Sequence, residues 1–260
     1  MGKSSHKLLG LNFQNGIELV GTHTLVTKKM FKQDNQIGSL FQISAINIYL
    51  GHIYFALYSL PLTEKMRMQG IFLDIETTGL DFRKHSPVEI ALSIIDLRQG
   101  TKIASYSSLI ALSNEEWSKR DPSAISINGF TQQELDNAKD MRAVGSEIIE
   151  LFTSVGIQRG KSLFICQNPS FDRAFFSLIV ATYEQEKRHW PYHWLDLASM
   201  FWVRAVREWV LPEDIDKGFS VSKDQIAARL GLASEPKPHR AMNGVQHLLA
   251  CYEGVVGFPQ

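Results

Sequence analysis

The sequence predicts an α/β fold in which helices cover the faces of a β-sheet. Three short apolar segments joined by turns follow residue 68, and a fourth, Ser162–Asn168, occurs in the second half of the chain. Segments with apolar residues at helical spacing lie before and after this fourth strand. Strands followed by helices that enclose a further strand are typical of a sheet with helices on its faces. The composition, 44% hydrophobic and 21% charged, is that of a globular protein.

The first three strands are predicted at Gly70–Glu76, Val88–Arg98 and Lys102–Leu112. Each is a short apolar run, and turn residues such as Gln99 and Gly100 separate one run from the next. Connections this short join neighbouring antiparallel strands, so we expect an antiparallel meander.

Helices are predicted in most of the chain after the third strand. Thr131 and Glu134 have the spacing of a capping box, which predicts that a helix begins there. Apolar residues at helical spacing predict the remaining helices, which cover residues 142–156, 170–188, 195–209, 221–232 and 239–256.

Residues 1–68 form a predicted N-terminal extension, and residues 69–256 form the predicted folded domain. The run Leu40–Leu62 contains no charged residue and is long enough to span a bilayer, yet it carries several polar residues and a proline. It is also too far from the N-terminus and too polar for a signal peptide. Three interpretations of the extension stay open: a poorly ordered segment, a segment upstream of a natural start at Met66 or Met68, and a membrane-associated segment.

The charge balance predicts neither a nucleic-acid partner nor a membrane partner, because Lys plus Arg and Asp plus Glu each number 27. From residue 69 onward the chain carries 20 basic and 24 acidic residues. A nucleic-acid enzyme with this balance would depend on local basic patches and bound metal. The only cysteines, Cys166 and Cys251, form no ligand-type cluster, which indicates a reducing cytoplasm and excludes a thiolate zinc site.

Two acids, Asp74 and Glu76, lie one residue apart near the end of the first predicted strand. Side chains at positions i and i+2 of a strand share a face, so the two carboxylates emerge side by side. Two anions at this spacing repel each other, and a divalent cation such as Mg²⁺ or Mn²⁺ would turn that repulsion into attraction. The alternative is that both acids are solvated at the strand end, or that Asp74 caps the turn.

Two further candidates lie at predicted helix starts. Asp172 follows the strand Ser162–Asn168 and falls in the first turn of a helix, where an acid also interacts favourably with the helix dipole. His239 follows a stiff, proline-containing loop and opens the last helix, and an exposed cap is the alternative there. Beside a carboxylate metal site the imidazole becomes a candidate general base, because its pKa is close to neutral pH.

The strings FLDIETTGL (residues 72–80), NPSFD (residues 168–172) and PHRA (residues 238–241) occur in this order. They resemble the three motifs of the DnaQ-like DEDDh 3′–5′ exonucleases, a family that includes the proofreading subunit of bacterial DNA polymerase III, oligoribonuclease and ribonuclease T. The resemblance extends from about Gln69 to Gly254 and so covers the predicted domain. It implies a ribonuclease-H-like fold with a mixed five-stranded sheet flanked by helices.

The same resemblance implies a function and a set of roles. The chain would be a metal-dependent 3′–5′ exonuclease acting on single-stranded nucleic-acid ends, DNA more than RNA, in replication proofreading or repair. Asp74, Glu76 and Asp172 would hold two divalent ions, Mg²⁺ or Mn²⁺, and His239 would deprotonate the attacking water. Two such ions clamp the attacking and leaving oxygens of an in-line displacement. A DNA polymerase would be a partner in trans, and an RNA-trimming enzyme is the alternative of the same family.

The sequence departs from the family pattern at the fourth acid, where it has Gly244 preceded by Asn243. One interpretation is that water, Asn243 or a nearby acid completes the site, with reduced activity. Glu235 and Asp196 are the nearby acids, but we expect Glu235 in a flexible loop and Asp196 in a structural role at a helix start. The other interpretation is a non-catalytic module that binds nucleic acid or a polymerase. The three remaining acids and His239 favour an active enzyme.

Overall fold

The computed structural model describes residues 68–208 and 219–259, and one sheet runs through this part of the chain. The strand order across the sheet is β3-β2-β1-β4-β5. β1 is antiparallel to β2 and parallel to β4, β2 is antiparallel to β3, and β4 is parallel to β5. The strands are β1 (Gln69–Thr77), β2 (Pro87–Asp96), β3 (Thr101–Leu109), β4 (Ser162–Cys166) and β5 (Trp194–Asp196). The predicted mixed five-stranded sheet, and the meander of its first three strands, are confirmed.

Helices flank this sheet, as the predicted fold class requires. Those in the described residues are α1 (Asn114–Ser118), α2 (Pro122–Asn128), α3 (Gln132–Asp136), α4 (Met141–Ser154), α5 (Pro169–Ile179), α6 (Thr182–Lys187), α7 (Leu197–Arg207), α8 (Lys223–Arg229) and α9 (Ala241–Val255). The predicted capping box opens α3: Thr131 Oγ1 accepts from the Glu134 N–H at 3.3 Å, and Glu134 Oε2 accepts from the Thr131 N–H at 2.8 Å.

Two predicted helices differ from the structure. The single helix predicted for residues 170–188 is two helices, because Val180 has an extended backbone with φ −127° and its side chain is buried in the core. The helix predicted for residues 195–209 begins only at Leu197, because Trp194–Asp196 pairs with β4 as a short strand. A three-residue strand carries too little alternation to be recognised from the sequence.

β1 is the central strand, and its two faces contact different helices. Ile71, Leu73 and Ile75 point to one face, where they pack with residues of α4 and α5. Phe72 points to the other face and packs with residues of α7, α8 and α9. Because side chains alternate along a strand, Asp74 and Glu76 share the face of Phe72. The two acids therefore point towards the side of the sheet that α8 and α9 cover.

The parallel pairing of β1 with β4 decides which segments meet near these acids. Parallel strands have their carboxyl ends at the same edge of the sheet, and α5 follows β4 at that edge. In α/β sheets this is the edge at which ligands bind. The fold thus brings the end of β1, the start of α5 and the start of α9 to one place.

The predictions for residues 1–67 fall outside the described residues, and the three interpretations of the N-terminal extension stay open. This applies to the run Leu40–Leu62 as well. Among residues 68–208 and 219–259, no helix has the length and the apolar character needed to cross a membrane. The cytoplasmic location stays a prediction.

Candidate active site

Asp74 and Glu76 lie side by side on one face of β1, as the strand periodicity predicts, and both are partly buried. In the register with β2, Glu76 lies opposite a third acid, Glu89. Burial raises the pKa of Asp74 to about 6, although the ammonium of Lys223 acts in the opposite direction. Burial and, after it, the charges of Asp74 and Glu235 raise the pKa of Glu76 to about 7. The end of β1 is therefore a site where negative charge accumulates with little solvent to stabilise it.

Asp172 is brought to the same site by the first turn of α5, and only 4% of its surface is exposed. Burial, followed by the charge of Asp74, raises the pKa of its carboxyl group well above the ordinary value. The backbone N–H groups of Ile75 and of Asp172 itself bond to this carboxyl and act in the opposite direction. Asp172 is therefore a buried acid next to β1 rather than a solvated acid at a helix start.

Glu235 belongs to this site as well. Its side chain is only 3% exposed, and its backbone N–H donates to Asp224 Oδ1 at 3.0 Å, which fixes the loop to α8. One ligand atom from each of Glu76, Glu235 and His239 lies within 4.8 Å of the other two. The expectation that Glu235 sits in a flexible loop is wrong, because the loop folds the carboxylate inward against the end of β1.

His239 lies just before α9, whose N-cap residue is Arg240, so the imidazole precedes the helix rather than opening it. Its Nδ1 atom is 3.9 Å from Glu235 Oε1, and its backbone N–H donates to the Ile127 carbonyl at 3.2 Å. The helix start is tied to β2, because the Ala241 N–H donates to Glu89 Oε2 at 2.7 Å. The imidazole is thus held beside the carboxylates, with part of its ring open to solvent.

Lys223, in the first turn of α8, is a site residue that the sequence does not reveal. Its Nζ atom is 2.8 Å from Glu235 Oε2 and 3.5 Å from Asp74 Oδ1, and it donates to the Gly244 carbonyl at 3.4 Å. Although burial lowers it, the charges of Asp74 and Glu235 raise the pKa of Lys223 to about 12. A lysine in an amphipathic helix is normally solvated, so its spacing in the sequence carries no signal of this role.

Gly244 lies in α9 at the position of the family's fourth acid, and it is buried. A β-carbon on Gly244 would collide with the Asp74 carboxylate, whose Cγ atom lies 2.6 Å from that position. Glycine is therefore required there for the close approach of Asp74 to the helix. Asp196 is not a substitute, because its carboxylate accepts from the Ala198 and Ser199 N–H groups, both at 3.1 Å, and caps α7. This agrees with the structural role expected for Asp196.

The donor set fits a hard divalent cation. Asp74, Glu76, Asp172 and Glu235 supply carboxylate oxygens, the ligand type that Mg²⁺ and Mn²⁺ take. Glu235 Oε1 is buried and has no hydrogen-bond partner. A buried acceptor without a partner is costly, and a cation would remove that cost.

A mixed five-stranded sheet with carboxylates converging at the end of its central strand defines a nuclease domain of the ribonuclease-H-like class. The sequence profile of the RNase T exonuclease family matches residues 71–252, well over half of the chain. The chain therefore belongs to this exonuclease family. The predicted membership in the DnaQ-like exonuclease family is confirmed.

Solved structures of exonuclease I share the fold. The zinc-bound complex of the E. coli enzyme with single-stranded DNA has a TM-score of 0.57 at 20% identity, covering 73% of this chain and 40% of exonuclease I. The complex of the E. coli enzyme with a dT13 oligonucleotide has a TM-score of 0.54 at 20% identity, with coverages of 71% and 40%. A complex of exonuclease I with SSB-Ct has a TM-score of 0.56 at 21% identity, with coverages of 73% and 41%. The match thus spans about two fifths of exonuclease I. A sequence search of curated proteins finds no significant match.

Proposed function

We propose that residues 69–256 form a metal-dependent 3′–5′ exonuclease domain acting on single-stranded nucleic-acid ends, DNA in preference to RNA. The observation that carries this proposal is the convergence of Asp74, Glu76, Asp172 and His239 at the end of β1 in a chain of the exonuclease family. The fold likeness to a protein solved with single-stranded DNA supports the choice of DNA. Replication proofreading or repair, and a DNA polymerase partner in trans, stay predictions.

Each side chain of the site has a proposed role. Asp74, Glu76 and Asp172 would hold the divalent metal, whose chemistry there would be to neutralise the charge that develops on the phosphodiester. His239 takes the proton of the attacking water. Because Nδ1 of His239 faces Glu235 Oε1 at 3.9 Å, its Nε2 atom is the one available for that proton.

The reaction follows from these roles. The oxygen of the attacking water bonds to phosphorus while the bond from phosphorus to the 3′ oxygen of the preceding nucleotide breaks. The water proton passes to His239, and the departing oxygen takes a proton from solvent. The products are a 5′-mononucleotide and a strand shortened by one nucleotide at its 3′ end.

The segment that follows β1 provides a surface for the substrate base. Leu80 is 80% exposed and Phe82 is 45% exposed, and both lie a few residues after Glu76. Aromatic side chains stack with unpaired bases without regard to sequence, and an exposed leucine beside them extends the apolar surface. A single-stranded end is the substrate that presents such an unpaired base.

A degradation assay on the full chain tests this function. A DNA strand and an RNA strand of the same sequence, each labelled at the 5′ end, are incubated with Mg²⁺, with Mn²⁺ or with a chelator. We expect a ladder of products shortened from the 3′ end with either metal, faster on DNA, and none with the chelator. Faster degradation of RNA would identify the RNA-trimming alternative, and no degradation of either strand would overturn the proposal.

A non-catalytic binding module is the second candidate function, and the ion pairs of Lys223 favour it. Its ammonium neutralises part of the negative charge of Asp74 and Glu235, which would otherwise be available to metal. Isothermal titration with Mn²⁺ beside the degradation assay separates the two candidates. Metal binding without degradation of DNA or RNA would identify the module.

A further inference from the structure

Two charged residues from elsewhere in the chain lie at the site that lacks the family's fourth acid. Lys223 comes from α8 and Glu235 from the loop that precedes α9. Their side chains pair at 2.8 Å between Nζ and Oε2, and the same Nζ atom reaches the carbonyl of Gly244 at 3.4 Å. The side chains are 13% and 3% exposed, so the pair is part of the site rather than a surface ion pair.

The second oxygen of Glu235 is unused within the described residues. Glu235 Oε1 is buried and without a hydrogen-bond partner, and it lies 3.9 Å from His239 Nδ1. Glu235 and Glu76 each offer an oxygen within 4.8 Å of the other. A separation of this size suits a shared cation, because Mg²⁺ and Ca²⁺ bind oxygen ligands at about 2.0 to 2.6 Å.

Next to Asp74, the site contains a positive charge of its own, the ammonium of Lys223. Its Nζ atom lies 3.5 Å from Asp74 Oδ1. A divalent cation bound to that same oxygen would be within a few ångströms of the ammonium, and like charges at that distance repel strongly where solvent is excluded. The resemblance to the family implies two cations, but in this chain the second of them would compete with a built-in positive charge.

We propose, on the basis of the exonuclease function above, that this site takes one divalent cation. Glu235 joins Glu76 as a ligand in place of the acid missing at Gly244, and the Lys223 ammonium stands where the second cation would bind. Asp74 and Asp172 supply negative charge to both the cation and the ammonium, and His239 remains beside the cation as the base.

The number of Mn²⁺ ions bound by the full chain tests this proposal independently of activity. Isothermal titration, run above the raised pKa values of the acids, should give one Mn²⁺ per native chain. Lys223→Met should bind two, and Lys223→Arg should bind one because it keeps the charge. Lys161→Met is the matched control and should bind one, since Lys161 is exposed and lies beside Gln69 at the start of β1, whereas the acids lie at its end. Two ions in the native chain, or one in Lys223→Met, would overturn the proposal.

The role of Glu235 has its own test. Glu235→Gln keeps the shape of the side chain and removes its charge, so the affinity for Mn²⁺ should fall at least about tenfold. The matched control is Glu150→Gln, on the exposed face of α4, which should leave the affinity unchanged. Equal affinities in the two variants would overturn the assignment of Glu235 as a ligand. Circular dichroism of each variant establishes that it is folded.

The proposal of one bound cation and the proposed exonuclease function can be contradicted independently of each other. A native chain that binds one Mn²⁺ and degrades no strand would overturn the exonuclease function and support the count. A native chain that binds two and degrades DNA would support the function and overturn the count.

Discussion

The Nζ atom of Lys223 lies 2.8 Å from Oε2 of Glu235, and both side chains are largely buried at the end of the central strand. The two residues come from different elements, and neither belongs to the three motifs that identify the family. Removing one partner of a buried ion pair is strongly destabilising, because it leaves an uncompensated buried charge. Lys223 and Glu235 therefore depend on each other, and their ion pair is part of the carboxylate site.

The raised pKa values of Asp74 and Glu76 predict an unusual dependence of stability on pH. Their pKa values rise from 3.8 and 4.5 to about 6 and about 7, so the folded chain keeps protons that the unfolded chain has already released. In a chelator, the free energy of unfolding should therefore fall as pH rises from about 4 to about 7, by on the order of 5 kcal/mol from these two acids. Denaturant unfolding at several pH values measures this.

The control for that prediction is Glu76→Gln, because the amide side chain at this position has no acidic proton to release. Its free energy of unfolding should fall less over the same pH range, because only Asp74 then contributes. The other acids contribute equally to the pH dependence of the native chain and of Glu76→Gln, so they cancel when the two are compared. Identical pH dependence in the native chain and the variant would show that Glu76 has no raised pKa.

Gly244→Ala should disrupt the site without disrupting the helix. The new β-carbon would collide with the Asp74 carboxylate and displace it, and a displacement of about 1 Å can lower the rate about 100-fold. For the same reason Gly244→Asp should lower metal affinity, although it supplies the acid that the family has at this position. Degradation rates and Mn²⁺ titration measure the two effects.

Gly254→Ala is the matched control, because Gly254 also lies in α9. Its β-carbon would meet the tip of the Leu230 side chain, which can move, and both changes bring the same gain in helix propensity. The degradation rate of Gly254→Ala should equal that of the native chain. An unchanged rate in Gly244→Ala would mean that Asp74 does not need its present position.

Asp172→Asn should lower the rate of strand degradation and leave the stability of the fold nearly unchanged. Burial raises the pKa of Asp172 and so disfavours its charge, and the amide of Asp172→Asn keeps the shape of the carboxyl group without that charge. The Tm in a chelator should change by no more than about 3 °C, while the degradation rate should fall by about 100-fold or more. Asp136→Asn, on the exposed end of α3, should change neither. A large decrease in Tm for Asp172→Asn would show that the Asp172 carboxylate is needed for the stability of the fold.

His239→Gln should lower the rate and leave the cation in place. Loss of a general base costs about 100-fold to 10,000-fold, whereas the carboxylates that face the metal are unchanged. The comparison is with His193→Gln, an exposed histidine outside the site, which should retain the native rate. Equal rates in the two variants would show that His239 is not the base.

Local rules predict four of the five strands, and strand periodicity places Asp74 and Glu76 on one face of β1. The grouping of Asp172 with these two acids is implied only by the resemblance of its motif to the exonuclease family, because the pairing of β4 with β1 is not a local feature of the sequence. Lys223 and Glu235 could not be assigned, because their roles depend on how α8 and the loop before α9 pack against β1. That packing joins residues 149 positions apart, such as Lys223 and Asp74, and leaves no periodic signal in the sequence.

The acids at the end of β1 are proposed to hold metal against a phosphodiester, and Asp74→Ala is the decisive test. The measurement is the Mn²⁺-dependent release of mononucleotides from a single-stranded DNA 3′ end by the native chain, by Asp74→Ala and by the control Asp136→Ala. We predict equal release by the native chain and the control, and none by Asp74→Ala. Release by Asp74→Ala at the native rate would show that the reaction does not depend on metal held by the acids at the end of β1.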